Sequence, residues 1–540
     1  MAMPSSAGMW DNGTLANAVV NGTLSQARLD DMATRIVAAW YFIGANLPEY
    51  PALGSGMPAS LLVPHKYTNV KDPASKPNLL AQAEEGHVLV KNINNALPFK
   101  NPQLISLFGY DAVIAGTRNP DGMGLGPFAL SADSITFVNQ TANSWFNAFI
   151  NGSGILPPAA YNGTIISGGG SGANTPPYIS APYDAFQQEA YTRDFQIFWD
   201  FESEAPFVDQ ASDACVVFIN AFSNEGTDRP ALEDEFSDNL VNNVADNCNN
   251  VRIAFPLHNA LLIFSQTIVV LHNAGIRVVD AWIEHPNVTA VVYAHLPGQD
   301  SGRALTNLMF GERSFSGRMP YSTAKNASDY GALLHPVGAG PEGSLTYFYP
   351  QDNFTEGVYI GKSPMLFITD VNGDLHLYID YRAFIAHNIQ PRFEFGYGLT
   401  YSTFCYSGLS TTMHRNNTLT YLPPDSNKAS TTAPVQGGLP SLWNNIATVT
   451  FSIQNTGSVT AMEVPQLYIG IPNGPAKQLR GFDKINLKAN QTQCVTLQLT
   501  RRDLSTWSVV DQQWVLQAGT YPIYVGASVL DIRLQGSLTI

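Results

Sequence analysis

Between residues 25 and 44, SQARLDDMATRIVAAWYFIG, apolar side chains return at helical spacing. Leu29, Met32, Ala33, Ile36, Val37 and Ile43 form the stripe, and Gly44 supplies a left-handed stop. The pattern predicts an amphipathic helix, which needs a surface to dock on. A stretch rich in proline, glycine and serine, Pro48 to Lys76, reads as linker. From about Asn78 to Tyr330, helical patterns alternate with short apolar runs: LISLFGY (104–110), ACVVFINAF (214–222), TIVVLHNAG (267–275) and VTAVVYAHLPG (288–298). Runs apolar on both faces and separated by helices predict a mainly parallel sheet covered on two sides. Ligands meet such sheets beyond the C-terminal strand ends, so the segments after each run are the candidates for chemistry. From about Glu394 the period changes to two. In ATVTFSIQNTG, Val449, Phe451 and Ile453 point one way and residues 455–457 turn; CVTLQL (494–499) and TYPIYVG (520–526) repeat the theme. The predicted fold class is therefore α/β plus all-β, an α/β sandwich followed by an antiparallel β-sandwich.

Composition narrows the function classes. Of 540 residues, 45% are hydrophobic and 13% charged, against roughly 25% charged in ordinary globular domains. That is enough apolar material for more than one core, which excludes general disorder. A net charge of −15 and a pI near 5.0 exclude a nucleic-acid binder, which needs a basic face. No apolar run reaches the roughly 18–20 residues of a membrane span; the most apolar stretch, Ala260 to Leu271, is broken by Ser265, Gln266 and Thr267. The opening MAMPSSAGMWDNG has neither the basic nor the apolar region of a signal peptide. Yet N-glycosylation sequons stand at Asn12, Asn21, Asn139, Asn151, Asn162, Asn287, Asn326, Asn353, Asn416 and Asn490. The two signals together read as a secreted parent whose start has been lost. Cys215, Cys248, Cys405 and Cys494 show no metal-ligand spacing, and Cys215, inside an apolar run, reads as a buried free thiol.

Two segments carry candidate chemistry. Glu225, in VVFINAFSNEGTDRPAL, follows a buried run on a turn of small and polar residues. A carboxyl desolvated in such a cleft keeps its proton longer and can act as general acid. Asp228, Glu233, Asp234 and Glu235 compete with it on position alone. The second segment is SGGGSGANTPPY (167–178), where Ser171 is suited to hydrogen-bond a small polar substrate. No Lys-Ser/Thr pair follows these glycines, so a phosphate-cradling role is disfavoured. The ten histidines have no metal-binding arrangement, and no GxSxG elbow occurs. His272 and His285 bracket a predicted helix and read as structural. No cofactor and no metal are expected.

The motifs together resemble the C-terminal two thirds of a family 3 glycoside hydrolase of the fungal β-glucosidase type. The matching pieces are MAMP, RLDDMATRI, EGHVLVKNINNALPF (85–99), GSGANTPPY, NEGTDRPAL, HPNVTAVVYAHLPGQDSGRALTNLMFGERSFSGRMPYS (285–322), FEFGYGLTYSTF (393–404) and EVPQLYIG (463–470). They run in the family's order along nearly the whole chain. The resemblance implies a (β/α)8 barrel, an α/β sandwich and a fibronectin type III-like domain. On it, residues 1–60 are a barrel remnant with linker, 78–335 the sandwich, 336–393 a connection and 394–540 the fibronectin-like domain. It implies a retaining mechanism, which needs a nucleophile and an acid/base about 5–5.5 Å apart. Glu225 falls at the family's acid/base position, with Asn224 where the family has Gly, and Ser171 falls at a sugar-contacting position. The family nucleophile is an Asp in an S-D-W motif, and no such triplet occurs in this sequence. The implied function is a secreted glycoprotein β-glucosidase in cellulose or β-glucan breakdown. It would release terminal β-D-glucose from β-glucosides or cello-oligosaccharides, and this chain alone is expected to be nearly inactive. The alternatives are a non-catalytic carbohydrate-binding module and the inert product of a misread gene.

Two insertions interrupt family motifs. Cys248-Asn249-Asn250 is separated from TIVV by the 16 residues VRIAFPLHNALLIFSQ (251–266), and EGVYI from DYRAF by the 19 residues GKSPMLFITDVNGDLHLYI (361–379). Val251-Arg252 and Gly361-Lys362-Ser363 both permit intron-like 5′ ends, and Gln266 and Ile379-Asp380 permit matching 3′ ends. Both segments are expected to be retained introns. Sequencing the transcript should therefore return a message without them; a message carrying both makes them genuine insertions.

Overall fold

The computed structural model describes residues 13–50, 71–114, 160, 162–168, 178–223, 229–248, 266–334, 380–414, 419–426, 438–508 and 510–540. Two compact units divide the chain near Lys71. In the first, α1 (Thr14–Val20) leads to α2 (Gln26–Phe42), whose N-cap Ser25 accepts from the Arg28 amide. The predicted helix is present, with Ile36, Val37 and Ile43 of its stripe exposed.

The second unit holds both predicted layers. Six strands form one sheet in the order β1-β6-β5-β4-β2-β3. They are β1 (Val88–Asn92), β2 (Leu104–Phe108), β3 (Gln196–Asp200), β4 (Ala214–Ala221), β5 (Thr267–Asn273) and β6 (Val288–Tyr293). All pair in parallel except β1, which runs antiparallel to β6 at one edge. Alternation along β4 shows why its run is apolar throughout. Cys215, Val217 and Ile219 enter one core with Leu240, Val241 and Val244, while Val216 and Phe218 enter the other with Phe186 and Leu305. The helices that close these faces are α3 (Lys76–Gly86), α4 (Pro182–Arg193), α5 (Glu235–Asn247) and α6 (Ser301–Met309), with the short α7 (Tyr381–Ala386) after them.

That alternation also corrects the reading of Cys215. Its side chain points to the α5 face, where Cys248 follows the last turn of the helix, and the two form a disulfide. Cys405 and Cys494 are free and exposed. The predicted helix between His272 and His285 is also absent: His272 lies inside β5, and 276–284 turns without helix. Residues 251–265 and 361–379 of the two insertions lie outside the described residues.

A β-sandwich follows, built from β7 (Phe404–Met413), β8 (Asn445–Asn455), β9 (Ala461–Glu463), β10 (Gln466–Ile469), β11 (Gln478–Phe482), β12 (Ile485–Leu487), β13 (Thr492–Thr500), β14 (Ser505–Ser508), β15 (Gln513–Leu516), β16 (Thr520–Gly526) and β17 (Ile532–Thr539). Val449, Phe451 and Ile453 face its core beside Leu467, Tyr521 and Ile523. A polar seam joins it to the α/β layer: Arg318 pairs with Glu463 at 3.1 Å, and Gln466 donates to the Gly396 carbonyl at 3.0 Å.

The disulfide closes a loop of 33 residues around α5, so reduction should cost about 3–4 kcal/mol of stability by loop entropy. Denaturant midpoints with and without reductant measure this, and identical midpoints would contradict it.

Candidate active site

Because β2 to β6 are parallel, their C-terminal ends share one edge. Strand order reverses between β2 and β4: β3 lies on one side of β2, and the chain then crosses to β4 on the other. A ligand crevice is expected at that reversal. Gly109, at the end of β2, has φ 94°, and a side chain there would run into the Phe218 carbonyl. The glycine thus lets the chain cross close over β4 and set Asp111 above the reversal.

Asp111 organises a fully buried polar cluster. Its carboxyl contacts His272 Nδ1 at 2.5 Å and accepts from Asn220 Nδ2 at 3.0 Å and from the Ile165 amide at 3.3 Å. His272 Nε2 lies 2.8 Å from Ser301 Oγ at the start of α6. With its proton on Nδ1, the ring donates to Asp111 and accepts from the serine hydroxyl. Burial pushes the Asp111 carboxyl above its ordinary range, against the downward pull of His272. The order Asp–His–Ser is that of a hydrolytic triad, yet Asp111, His272 and Ser301 have no exposed surface. The cluster therefore braces the crest and does not meet substrate.

Around it the crest remains polar. Asn273 donates to Tyr321 Oη at 2.5 Å, and Ser223 donates to the Ala274 carbonyl at 2.8 Å. Arg229 donates to the Ile276 carbonyl at 2.6 Å, and burial lowers its guanidinium pKa. Among the described residues, three buried polar atoms here lack a partner: Arg229 Nη1, Asn273 Oδ1 and His295 Nε2. Such atoms mark a place where a neighbouring group or polar ligand would complete the set.

Glu225 and Ser171 lie outside the described residues, as do Asp228 and the sequons at Asn12, Asn139, Asn151, Asn353 and Asn416. Their flanks are informative. Ser223, two residues before Glu225, and Gly168, three before Ser171, are neighbours: a Cβ on Gly168 would lie 4.0 Å from the Ser223 carbonyl oxygen. Both flanking residues stand at the crest. Of the competing carboxylates, Asp234 caps α5 by accepting from Ser237 N and pairs with buried Arg277 at 3.0 Å, while Glu233 and Glu235 are exposed. Asn21, Asn162, Asn326 and Asn490 are exposed; the Asn287 amide donates to the Ala245 carbonyl at 2.8 Å. Sequence reading missed Asp111, Asn220, Arg229, His295 and Ser301. For Asp111, directly after the run 104–110, the signal was its position; Asn220 and His295 lie inside their runs, and Arg229 and Ser301 stand three or more residues past theirs.

The doubly covered sheet, with a polar crest at its strand reversal, is joined to a β-sandwich. Residues 87–401 match the glycosyl hydrolase family 3 C-terminal domain, and residues 463–529 match a fibronectin type III-like domain. The chain belongs to glycoside hydrolase family 3. It is 48% identical over its full length to "Probable beta-glucosidase M" of Aspergillus flavus, and 45% identical to "Beta-glucosidase cel3A" of Pyricularia oryzae. It covers 60% and 62% of those proteins. The crystal structure of a beta-D-glucoside glucohydrolase from Trichoderma reesei superposes over 97% of this chain and 62% of its own, with a TM-score of 0.70 and 33% identity. For the Chaetomium thermophilum beta-glucosidase the TM-score is 0.73, at 27% identity, covering 98% of this chain and 65% of that one.

Burial holds the pKa of His295 down at about 4 and that of His87, behind α3, at about 3. Both rings protonate near 6.5 once unfolded, so the unfolded state binds more protons below that pH. Stability present at pH 7 is therefore lost as pH falls below about 6.5, by roughly 2 kcal/mol per ring at pH 5. Urea titrations at both pH values should show this loss, with His87→Leu and His295→Leu each removing about half. A pH-independent midpoint would contradict it.

Proposed function

We propose that the chain carries the acid/base half of a retaining β-glucosidase, a secreted enzyme that releases terminal β-D-glucose from β-glucosides and cello-oligosaccharides. The observation that supports it most is the adjacency of Gly168 and Ser223 at the strand reversal. It brings the flanks of the Ser171 and Glu225 segments together where an α/β sheet receives ligands. Membership of the family and the names of the relatives supply the reaction class. In this reading Glu225 gives its proton to the departing glycosidic oxygen and later takes one from water, while Ser171 hydrogen-bonds the glucosyl unit. The partner carboxylate that attacks C1 has no matching S-D-W motif among these residues. Secretion accords with the disulfide, which forms in oxidising compartments. It also accords with the exposed sequon asparagines Asn21, Asn162, Asn326 and Asn490, the proposed glycan sites.

A small external nucleophile tests the assignment. Without azide, an aryl β-D-glucoside is expected to hydrolyse no faster with the chain than in buffer. In concentrated azide, N3⁻ attacks C1 from the face opposite the aglycone and Glu225 protonates the leaving oxygen, giving α-glucosyl azide. With a poor leaving group, Glu225→Gln should cut that product roughly 100-fold or more. Azide-independent turnover by wild type would place a nucleophile within the chain. Equal product from Glu225→Gln would remove Glu225 from the reaction.

A further inference from the structure

Between the α/β layer and the β-sandwich lies an open groove of about 960 Å³. Small-molecule sites typically measure roughly 300–1,000 Å³ and favour domain boundaries. The groove sits on the polar seam. Arg318 and Glu463 meet at 3.1 Å with side chains 9% and 5% exposed, and Tyr406 Oη donates to the same Glu463 oxygen at 3.1 Å. At the rim, Arg533 and Asp531 pair at 2.6 Å and are 45% and 43% exposed. Tyr397 and Phe404 are half-buried in the lining.

We infer that this groove is a second, non-catalytic binding site for a short neutral oligosaccharide, lying between the two domains. Charge carries the first step. Three cations, Lys100, Arg318 and Arg533, line it with three carboxylates, Glu312, Glu463 and Asp531; Arg318–Glu463 and Arg533–Asp531 are ion pairs, and Glu312 pairs outside the lining with Arg193 at 2.7 Å. The lining offers no net field for a phosphate or another ion, and among the described residues no acidic, histidine or cysteine cluster is placed to hold a metal. Paired guanidinium and carboxylate groups present donors beside acceptors. A hydroxyl, which is both, satisfies such an alternation where a singly functional group does not. The aromatic rings supply flat apolar surface for the face of a sugar ring. The choice of saccharide over another neutral polyhydroxylated ligand rests on the glycosidase reading of the crest.

Calorimetric titration of the full chain with thio-linked cellotriose, which resists hydrolysis, tests the site. Saturable binding is expected in wild type and, unchanged, in Glu225→Gln. Ser458→Trp, which puts an indole at the exposed groove lip, should weaken it at least tenfold. Asp531→Ala, on the exposed pair, should weaken it severalfold and keeps the test informative if the tryptophan disturbs the β8–β9 turn. Absence of binding, or unaltered affinity in both groove variants, overturns the inference. Binding lost in Glu225→Gln but kept in the groove variants places the saccharide at the crest and also overturns it. An uncharged extended peptide that binds with the same groove dependence, while the saccharide does not, overturns the ligand class. Failure of the azide experiment leaves these titrations unaffected, so the two readings fail separately.

Discussion

The crest depends on one buried interaction, the 2.5 Å contact between Asp111 and His272. Asp111 follows β2, His272 belongs to β5, and Ser301 at the far end of the relay begins α6. One imidazole therefore fixes three elements that are distant in sequence. Asn220 adds β4, and through its second bond, to the Gly163 carbonyl at 3.0 Å, holds the segment leading to Gly168. A buried ionisable pair is costly to desolvate and persists only when every lone pair and proton finds a partner; breaking such a set costs about 3–5 kcal/mol. Satisfied as it is here, the relay makes a stiff floor for the chain stretches that leave the sheet edge.

The same economy governs the join between domains. The segment 393–401 threads the boundary. Leu399 N donates to the Leu89 carbonyl on the sheet edge, and Tyr401 Oη donates to the Leu308 carbonyl in the last turn of α6. Gly396, at φ 82°, sits against the Gln466 side chain of β10. In the motif FEFGYGLTYSTF, Phe393, Tyr397 and Tyr401 pack into the α/β layer, Phe395 and Phe404 pack on the sandwich side, and Gly396 admits the sandwich closely.

Much of this was legible from residue periodicity. The four runs apolar on both faces became β2, β4, β5 and β6, and Val449, Phe451 and Ile453 did turn inward together. The edge strands were not legible. β3, Gln196–Asp200, is half-exposed and has neither clean alternation nor an unbroken apolar run. β1 is antiparallel and too short for its pairing to be read locally. The disulfide escaped because Cys215 resembles any other core residue until the helix carrying Cys248 is laid over it. The relay escaped for a related reason. Asp111, His272 and Ser301 are separated by 161 and 29 positions, and only the sheet order makes them neighbours. The Glu225 and Ser171 segments were singled out from their motifs, and both residues lie outside the described residues.

The central proposal is that Glu225 is the carboxylate that serves the glycosidic oxygen. An electrophilic glucose derivative, N-bromoacetyl-β-D-glucosylamine, places its nitrogen where the glycosidic oxygen would sit and its bromomethyl carbon just beyond, where the carboxylate that serves that oxygen displaces bromide and becomes an ester. Peptide mapping by mass spectrometry then reads the labelled residue. The account predicts a single ester on Glu225, suppressed by excess glucose. Label on Asp228, Glu233 or Glu235, or labelling indifferent to glucose, would contradict it.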